Sequence, residues 1–322
     1  MVFAAEVDSV TTRSVELENS RAAINQIFND RIKHGIAEAN RKRTTIQRVG
    51  DLELYSEGEY CDEQELYREL RKAIFDSNTA TWGLKGYQLD KQLRSLLAGN
   101  SYSLQLNDSI YRDIDYIEGI SLKLKELSDL VYVQGVLIGV DKLGHFFAEG
   151  WHYYEMTEFD DKSLHDALAW GREKESGLFG YSTTGIFSYA DLVANFNGMR
   201  FWNRVLMKQD DPLLGVFGNL FERPYVNCEI QLIDSLKAGE LVKAWEFNRK
   251  FDIGEFVDGG WDEGNNCNSY ADPVIEAKVD KRIRDVKRDF VCPYEKNACL
   301  RARAKYGKYS RNLLHPFCLG SE

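Results

Sequence analysis

Six cysteines, five of them from Cys228 onward, constrain this chain more than any other feature. None sits in a C-x-x-C pair, so neither a zinc ribbon nor a thioredoxin-like motif is indicated. Several lie among polar or turn-forming residues, as in Asn265-Asn266-Cys267-Asn268 and Cys292-Pro293. A buried free thiol sits more often among apolar neighbours. An even number in polar settings reads as disulfides formed in an oxidising compartment, periplasmic or secreted. The expected pairs are Cys228–Cys267 and Cys292–Cys299. The start points the same way: in Met1-Val2-Phe3-Ala4-Ala5, Val-Phe-Ala resembles what a signal peptidase leaves behind it, with Ala5 as the first mature residue. An ordinary N-terminus containing two alanines is the plainer reading.

No run of about 18 apolar residues exists, so no transmembrane span is expected. The most apolar stretch, Leu130 to Val140, is too short and reads as a core segment. A hydrophobic fraction of 43%, with 17 Phe, 17 Tyr and 6 Trp, supports a real core and confines disorder to the ends. The net charge of −10 argues against a nucleic-acid partner, which would need a basic face.

Periodicity predicts a mainly α chain. Val15 to Arg43 reads as a long amphipathic helix with Ile24, Ile27, Phe28, Ile32 and Ile36 on one stripe. Further helices are expected over Glu63–Phe75, Tyr87–Leu97, Val140–Met156, Ser163–Glu175, Tyr189–Met207 and Ala271–Phe290, and near Ser121–Leu130. Leu178 to Ser188, short and rich in Gly, Thr and aromatics, fits a small β-hairpin. The fold class is thus a multi-helix globular domain with a small hairpin, a lysozyme-like core being one form of it, and a disulfide-pinned, irregular C-terminal third. The expected layout is a disordered 1–14, a main domain over 15–210 carrying the site, and a C-terminal extension over 211–322.

Chemistry concentrates between Asp141 and Gly198. Asp141, His145, Glu149 and His152 sit at offsets of 0, 4, 8 and 11, which places them on one helical face. Such a stripe could bind a divalent metal, form a polar network or simply face solvent; it is not the H-E-x-x-H zinc pattern. Glu173 and Glu175 end a helix before the Gly/Thr-rich segment containing Tyr181 and Thr184. A carboxyl held partly out of water there could stay protonated as a general acid. Charged residues facing solvent are the plainer account, although two glutamates oppose the helix dipole. Ser188 and Asp191 have near capping-box spacing; Asn195, on the same face, is not explained by capping. The loop from Phe256 to Cys267 interleaves Asp258, Asp262 and Glu263 with Trp261, as a sugar subsite would, or as a pinned loop would.

Two resemblances attach to these residues. Glu175-Ser176 followed by Thr183-Thr184-Gly185-Ile186-Phe187 resembles short pieces of animal lysozymes and lytic transglycosylases, over some fifteen residues. Asp141-Lys142-x-x-His145-Phe146, Gly171-x-x-Lys174-Glu175 and Ser188-x-x-Asp191-Leu192-x-Ala194-Asn195-x-x-Gly198 resemble the pattern of VanZ-like proteins and related small envelope lipoproteins, over about sixty residues. The second resemblance implies a helical, envelope-associated protein with Asp141, His145, Glu175, Asp191 and Asn195 around one site. It supplies no reaction, and the helices here are too charged for a membrane.

The leading expectation is a bacterial envelope hydrolase, a lysozyme-like glycosidase or lytic transglycosylase acting on cell-wall glycan without a cofactor. Glu175 would be its acid, Glu173 or Asp191 would stabilise charge, and His145, Asn195, Tyr181, Thr184 and Trp261 would bind substrate. The rivals are a non-catalytic envelope protein with a buried polar network, and a metal-dependent hydrolase using Asp141, His145, Glu149 and His152.

Overall fold

The computed structural model describes residues 6–42, 44–49, 52–57, 61–75, 85–115, 117–119, 127–233 and 240–320. The chain is mainly helical with short antiparallel strands, and disulfides pin its C-terminal third, as the sequence predicts. Two compact units form, each from separated stretches: Met1–Ile24 with Ala80–Trp202 and Asp252–Glu322, and Asn25–Thr79 with Asn203–Phe251. The expected division at residue 210 is therefore replaced by one in which the chain leaves the first unit twice and returns.

In the second unit, most of the helix Arg21–Lys42 packs beside Glu63–Ile74. Phe28, Ile32 and Ile36 from the predicted stripe are buried there, against a core that also holds Leu66 and Leu70. The helix starts at Arg21 rather than Val15. Gly35 lets the two helices approach closely, since a Cβ there would stand 2.9 Å from the Leu70 Cα. Two hairpins not anticipated from the sequence, Thr44–Val49 with Leu52–Glu57 and Val226–Ile233 with Glu240–Phe247, complete the unit. Cys61 pairs with Cys228 inside it.

The first unit carries the site. Residues 6–14, expected to be disordered, are packed into it. Asp8 is the reason: its buried carboxylate accepts the backbone N–H groups of Val10 (3.0 Å), Thr11 (2.8 Å) and Ile110 (2.8 Å). The apolar stretch at 130–140 is a core segment in the form of a hairpin, Leu130–Val133 with Val136–Gly139. Gln134 and Gly135, at φ of 50° and 92°, make the two-residue turn that requires positive φ at both central positions. A continuous helix follows, Asp141–Gly144, His145–Glu149 and Gly150–Glu158, whose middle piece is a π-turn. Leu164–Lys174 opens on a Ser163/Asp166 capping box and runs into a second π-turn at Glu175–Phe179. Ser121–Glu126 lies outside the described residues, and 127–129 are not helical.

The hairpin expected over Leu178–Ser188 does not form. Ile186–Phe187 pairs instead with Ser269–Tyr270, and this long-range bridge brings the C-terminal stretch to the site. The next helix, Tyr189–Leu206, crosses the Asp141–Glu158 helix glycine to glycine: a Cβ on Gly150 would lie 2.6 Å from the Gly198 Cα, and one on Gly198 would collide with the Phe146 carbonyl oxygen. Only hydrogen at both positions allows that approach, which sets Asp141 and His145 beside Asp191 and Asn195.

The expected cysteine pairs are also corrected. Cys267 joins Cys292, and Cys299 joins Cys318. Cys228 is already taken by Cys61 in the second unit, so it is not open to Cys267. Three disulfides fit folding in an oxidising compartment. Among the described residues, no helix is long and apolar enough to cross a membrane.

Candidate functional site

Lys142 is the centre of the site. Its side chain is fully buried, and its ammonium contacts Asp191 Oδ1 at 2.5 Å, Glu263 Oε1 at 2.6 Å and Asp141 Oδ2 at 2.9 Å. Burial alone would lower its pKa, but the surrounding carboxylates outweigh that and hold it charged. His145 lies alongside: Nε2 stands 3.1 Å from Asp191 Oδ2, and Nδ1 3.1 Å from Asn195 Oδ1. Both ring nitrogens thus face acceptors, the arrangement an imidazolium needs. Burial opposes the charge, yet Asp191 prevails and the pKa rises to about 10.

Ser188 ties the network together. Its hydroxyl is 3.2 Å from Asp191 Oδ1 and 3.1 Å from Glu263 Oε1, and its backbone N–H donates to Glu175 Oε1 at 3.0 Å. Gly180 makes room for that carboxyl, since a Cβ there would lie 2.9 Å from Glu175 Oε1. Glu175 is 2% exposed. Burial, and then the charge of Asp191, push its pKa to about 8. Asp191 moves the opposite way. Burial would raise it, but His145 and Lys142 hold it well below the usual carboxylate range. Two carboxyls on one network are therefore set in opposite protonation states. Glu6, brought in by the N-terminal segment, is also buried with both carboxyl oxygens unpartnered, and burial followed by Glu263 pushes its pKa up strongly.

The network reaches a cavity of about 260 Å³ through Glu263. Asn268, on the cavity wall, donates to Glu263 Oε2 at 2.8 Å. Two polar links, Glu263 to Ser188 and Ser188 to Glu175, separate the cavity from the buried acid.

The structure brings together Asp141, His145, Glu175, Asp191 and Asn195, the five residues grouped by the VanZ-like pattern. The remaining candidates fall elsewhere. Glu149 and His152 leave the face because the π-turn at His145–Glu149 adds one residue to a turn and rotates the rest of the helix. His152 pairs with Glu155 at 3.3 Å, and its side chain is 38% exposed. Glu173 is exposed, two positions before Glu175 and on another side of the helix. Thr184 is buried and spends its hydroxyl on its own turn, accepting from Ile186 N at 3.2 Å. Tyr181 is half-buried, with its ring 5.5 Å from that of Phe187. Trp261 has no face for a sugar: it is fully buried, 5.7 Å from the Phe146 ring, and donates to the Phe256 carbonyl. Its neighbours in that loop are structural too. Asp258 binds Lys305 and Tyr306, and Asp262 binds Arg13 through two contacts at 2.5 and 2.7 Å.

Asp141, His145 and Asp191 offer ligand atoms within 4.8 Å of one another, a set that could hold a metal ion. It differs from the expected set by replacing Glu149 and His152 with Asp191. The Lys142 ammonium already supplies a cation between Asp141 and Asp191, and does so without a metal. No family model, curated protein or solved structure matches the chain.

The shifts dictate a pH dependence of stability. Glu175 is raised above its ordinary 4.5, so its share is complete below pH 4.5 and is lost as pH rises to about 8. His145 is raised above 6.5, so its share is complete below pH 6.5 and is lost towards about 10. Asp191 is depressed, and its share disappears in acid, below its ordinary 3.8. The denaturation midpoint should fall from about pH 5 to about pH 9, corresponding to at least ~2 kcal/mol, most steeply where Glu175 and His145 both titrate. A flat profile across that range would show that neither group is shifted.

Proposed function

We propose that the chain is an acid–base hydrolase of an envelope glycan, acting outside the reducing cytoplasm of a bacterium on glycosidic bonds of the peptidoglycan type. The observation that carries this reading is the pair Glu175 and Asp191, buried on one network with pKa values driven apart. Hydrolysis of a glycosidic bond needs one carboxyl still protonated near neutral pH and one carboxylate to balance the positive charge of the transition state. Glu175 takes the first role, and because it is buried two polar links from the cavity, the turn over Glu175–Phe179 has to open before a leaving oxygen can take its proton. Asp191 takes the second, oriented by Lys142 and His145. Asn195 acts as a positioning residue by holding the His145 ring. Glu173 has no part, being exposed on another side of the helix, and Trp261 has none because its ring packs on Phe146 and its N–H is spent on the Phe256 carbonyl.

The VanZ-like pattern supports the envelope setting and the grouping of the five polar residues. A network of five carboxyls around one lysine and one histidine is costly to bury, and such groups accumulate where they do chemistry.

A second reading draws on a different observation. The Lys142 ammonium and both His145 nitrogens are satisfied within the protein, which suits a network that only specifies the fold of a non-catalytic envelope protein. Incubation of the purified protein with sacculi, native and de-N-acetylated, separates the two. Soluble sugar fragments are expected, and their end groups distinguish hydrolysis from transglycosylation. Absence of fragments from both walls would remove the hydrolase reading and leave the structural one.

A further inference from the structure

The helix Gly215–Phe221, in the second unit, is turned inside out. At about 3.6 residues per turn, Val216, Phe217, Leu220 and Phe221 fall on one side within about 140° of arc, and Gly215, Gly218 and Asn219 fall on the other. A surface helix of a globular protein normally buries its apolar side. Here no residue of the helix is buried, and Val216, Phe217, Leu220 and Phe221 are 71–81% exposed. The small, polar side is the one held to the protein. Asn219 Oδ1 accepts from Asp211 N at 2.8 Å, and Asn219 Nδ2 donates to the Asp211 carbonyl at 3.1 Å. Asp211 is itself fixed: it is fully buried, bound by Arg204 at 2.7 Å, and accepts from Leu213 N at 2.9 Å. A buried ion pair and its hydrogen bonds thus hold an apolar face out in water.

The four side chains expose apolar surface on the order of 500 Å², a size at which a patch marks a binding face. A second copy of the chain fits this face poorly, because a stable dimer buries about 800 Å² on each partner. A groove on another protein reads a narrow stripe of anchors, whereas this face is broad and the helix beneath it has only about two turns. A lipid interface needs no matching shape, and it takes Phe and Leu beside Lys and Arg. The charges agree. Arg223, exposed, follows Phe221 by two residues, and exposed Lys250 is brought near it by Asn248, which donates to the Pro224 carbonyl at 2.9 Å. Glu222 and Glu63 are neutralised by Arg249 and Lys208, so Arg223 and Lys250 outnumber Asp210 at this end of a chain whose net charge is −10.

We propose that the helix Gly215–Phe221 is an interfacial anchor that seats the protein on a phospholipid surface. Val216, Phe217, Leu220 and Phe221 enter the boundary between headgroups and acyl chains, and Arg223 and Lys250 meet the headgroup phosphates. At about 10 Å in length the helix is far too short to cross a bilayer core about 30 Å thick, so it lies in the interface. Such an anchor needs nothing from the glycan chemistry proposed above.

Co-sedimentation with phosphatidylglycerol/phosphatidylcholine vesicles tests it, with the wild type beside Phe217→Ser/Phe221→Ser and sedimentation velocity of each protein alone. The wild type should pellet with the vesicles and stay bound in about 0.5 M salt, since apolar contact carries most of the affinity and salt screens only the cations. The double variant should bind at least about tenfold more weakly, having lost two seated aromatic rings. Its denaturation midpoint should match or exceed that of the wild type, because both rings stand in water in the free protein. In Leu220→Trp, the emission of the new indole should shift to the blue on vesicles. A wild type left in the supernatant, a double variant that pellets as well as the wild type, or an unmoved Leu220→Trp emission would overturn the anchor. Binding lost at about 0.5 M salt would overturn it too, by assigning the contact to charge alone. Self-association of the wild type that the double variant abolishes, without vesicle binding, would overturn the lipid and give the face to a second copy.

Discussion

Glu175→Gln should lower glycan cleavage by about 10²–10⁴-fold, the usual contribution of a positioned acid, while leaving the fold in place. The substitution is chosen for the state of the carboxyl it replaces. Glu175 is buried and carries its proton up to a pKa of about 8, so a neutral amide of the same shape is a close copy of the resident group. The glutamine oxygen can still accept from Ser188 N, which lies 3.0 Å from Oε1. What the amide cannot do is release a proton to a leaving group. Stability near neutral pH should therefore change by less than about 1 kcal/mol, and the variant should lose the Glu175 share of the stability decline between pH 4.5 and 8. Fragment release from sacculi, read against the denaturation midpoint, checks both halves. Undiminished release from a folded variant would remove Glu175 from the chemistry. A collapse in stability with no activity in either protein would assign it to architecture.

The parts of this molecule that the sequence discloses are those written in local spacing. The stripe Ile24, Ile27, Phe28, Ile32, Ile36 predicts its helix because i, i+3 and i+4 periodicity is a property of neighbours in the chain, and all but the half-buried Ile27 are buried. The helix expected over Ser163–Glu175 is local in the same way, and the structure opens it on a Ser163/Asp166 capping box. Spacing of four residues pairs Asp141 with His145 and Asp191 with Asn195; placing the two pairs around one site is what the resemblance to the VanZ-like pattern implies, not their spacing.

What escaped depends on distance or on a local irregularity. Lys142 follows an aspartate and looks like any solvated lysine; its burial is visible only once Asp191 and Glu263 arrive from 49 and 121 positions away. Glu263 sits in a loop whose other carboxylates, Asp258 and Asp262, are spent on Lys305, Tyr306 and Arg13. Nothing in its local sequence separates it from them. The π-turn at His145–Glu149 has no sequence signature either, yet it removes Glu149 and His152 from the face they would share on a regular helix. Ile186–Phe187 could not disclose its partner because Ser269–Tyr270 is a short strand far along the chain. Glu6 was hidden by the assumption that a chain end without periodicity is disordered; Asp8, two residues on, instead anchors the segment by caps to its own backbone and to Ile110.

Lys142→Met should destabilise the protein by about 3–5 kcal/mol at neutral pH, the range found when one partner of a buried ion pair is removed. Methionine matches the length and most of the volume of the lysine stem, so packing changes little and the loss isolates the charge. Without the ammonium, Asp141, Asp191 and Glu263 face one another with only His145 to balance them. Three carboxylates so placed relieve their repulsion by taking up protons, which cost less to supply as the pH falls. The defect should therefore shrink in mild acid, at about pH 5, and grow towards pH 8. Adding Glu263→Gln to Lys142→Met removes one of the stranded charges and keeps the acceptor for Asn268, so the double variant should recover about 1 kcal/mol or more over the single one. Denaturation midpoints for the wild type, both single variants and the double variant complete the cycle. If Lys142→Met lay within about 1 kcal/mol of the wild type at pH 8, the ion pairs would not hold this network together. If the double variant recovered nothing, the coupling between Lys142 and Glu263, and with it the link from the network to the cavity, would fall.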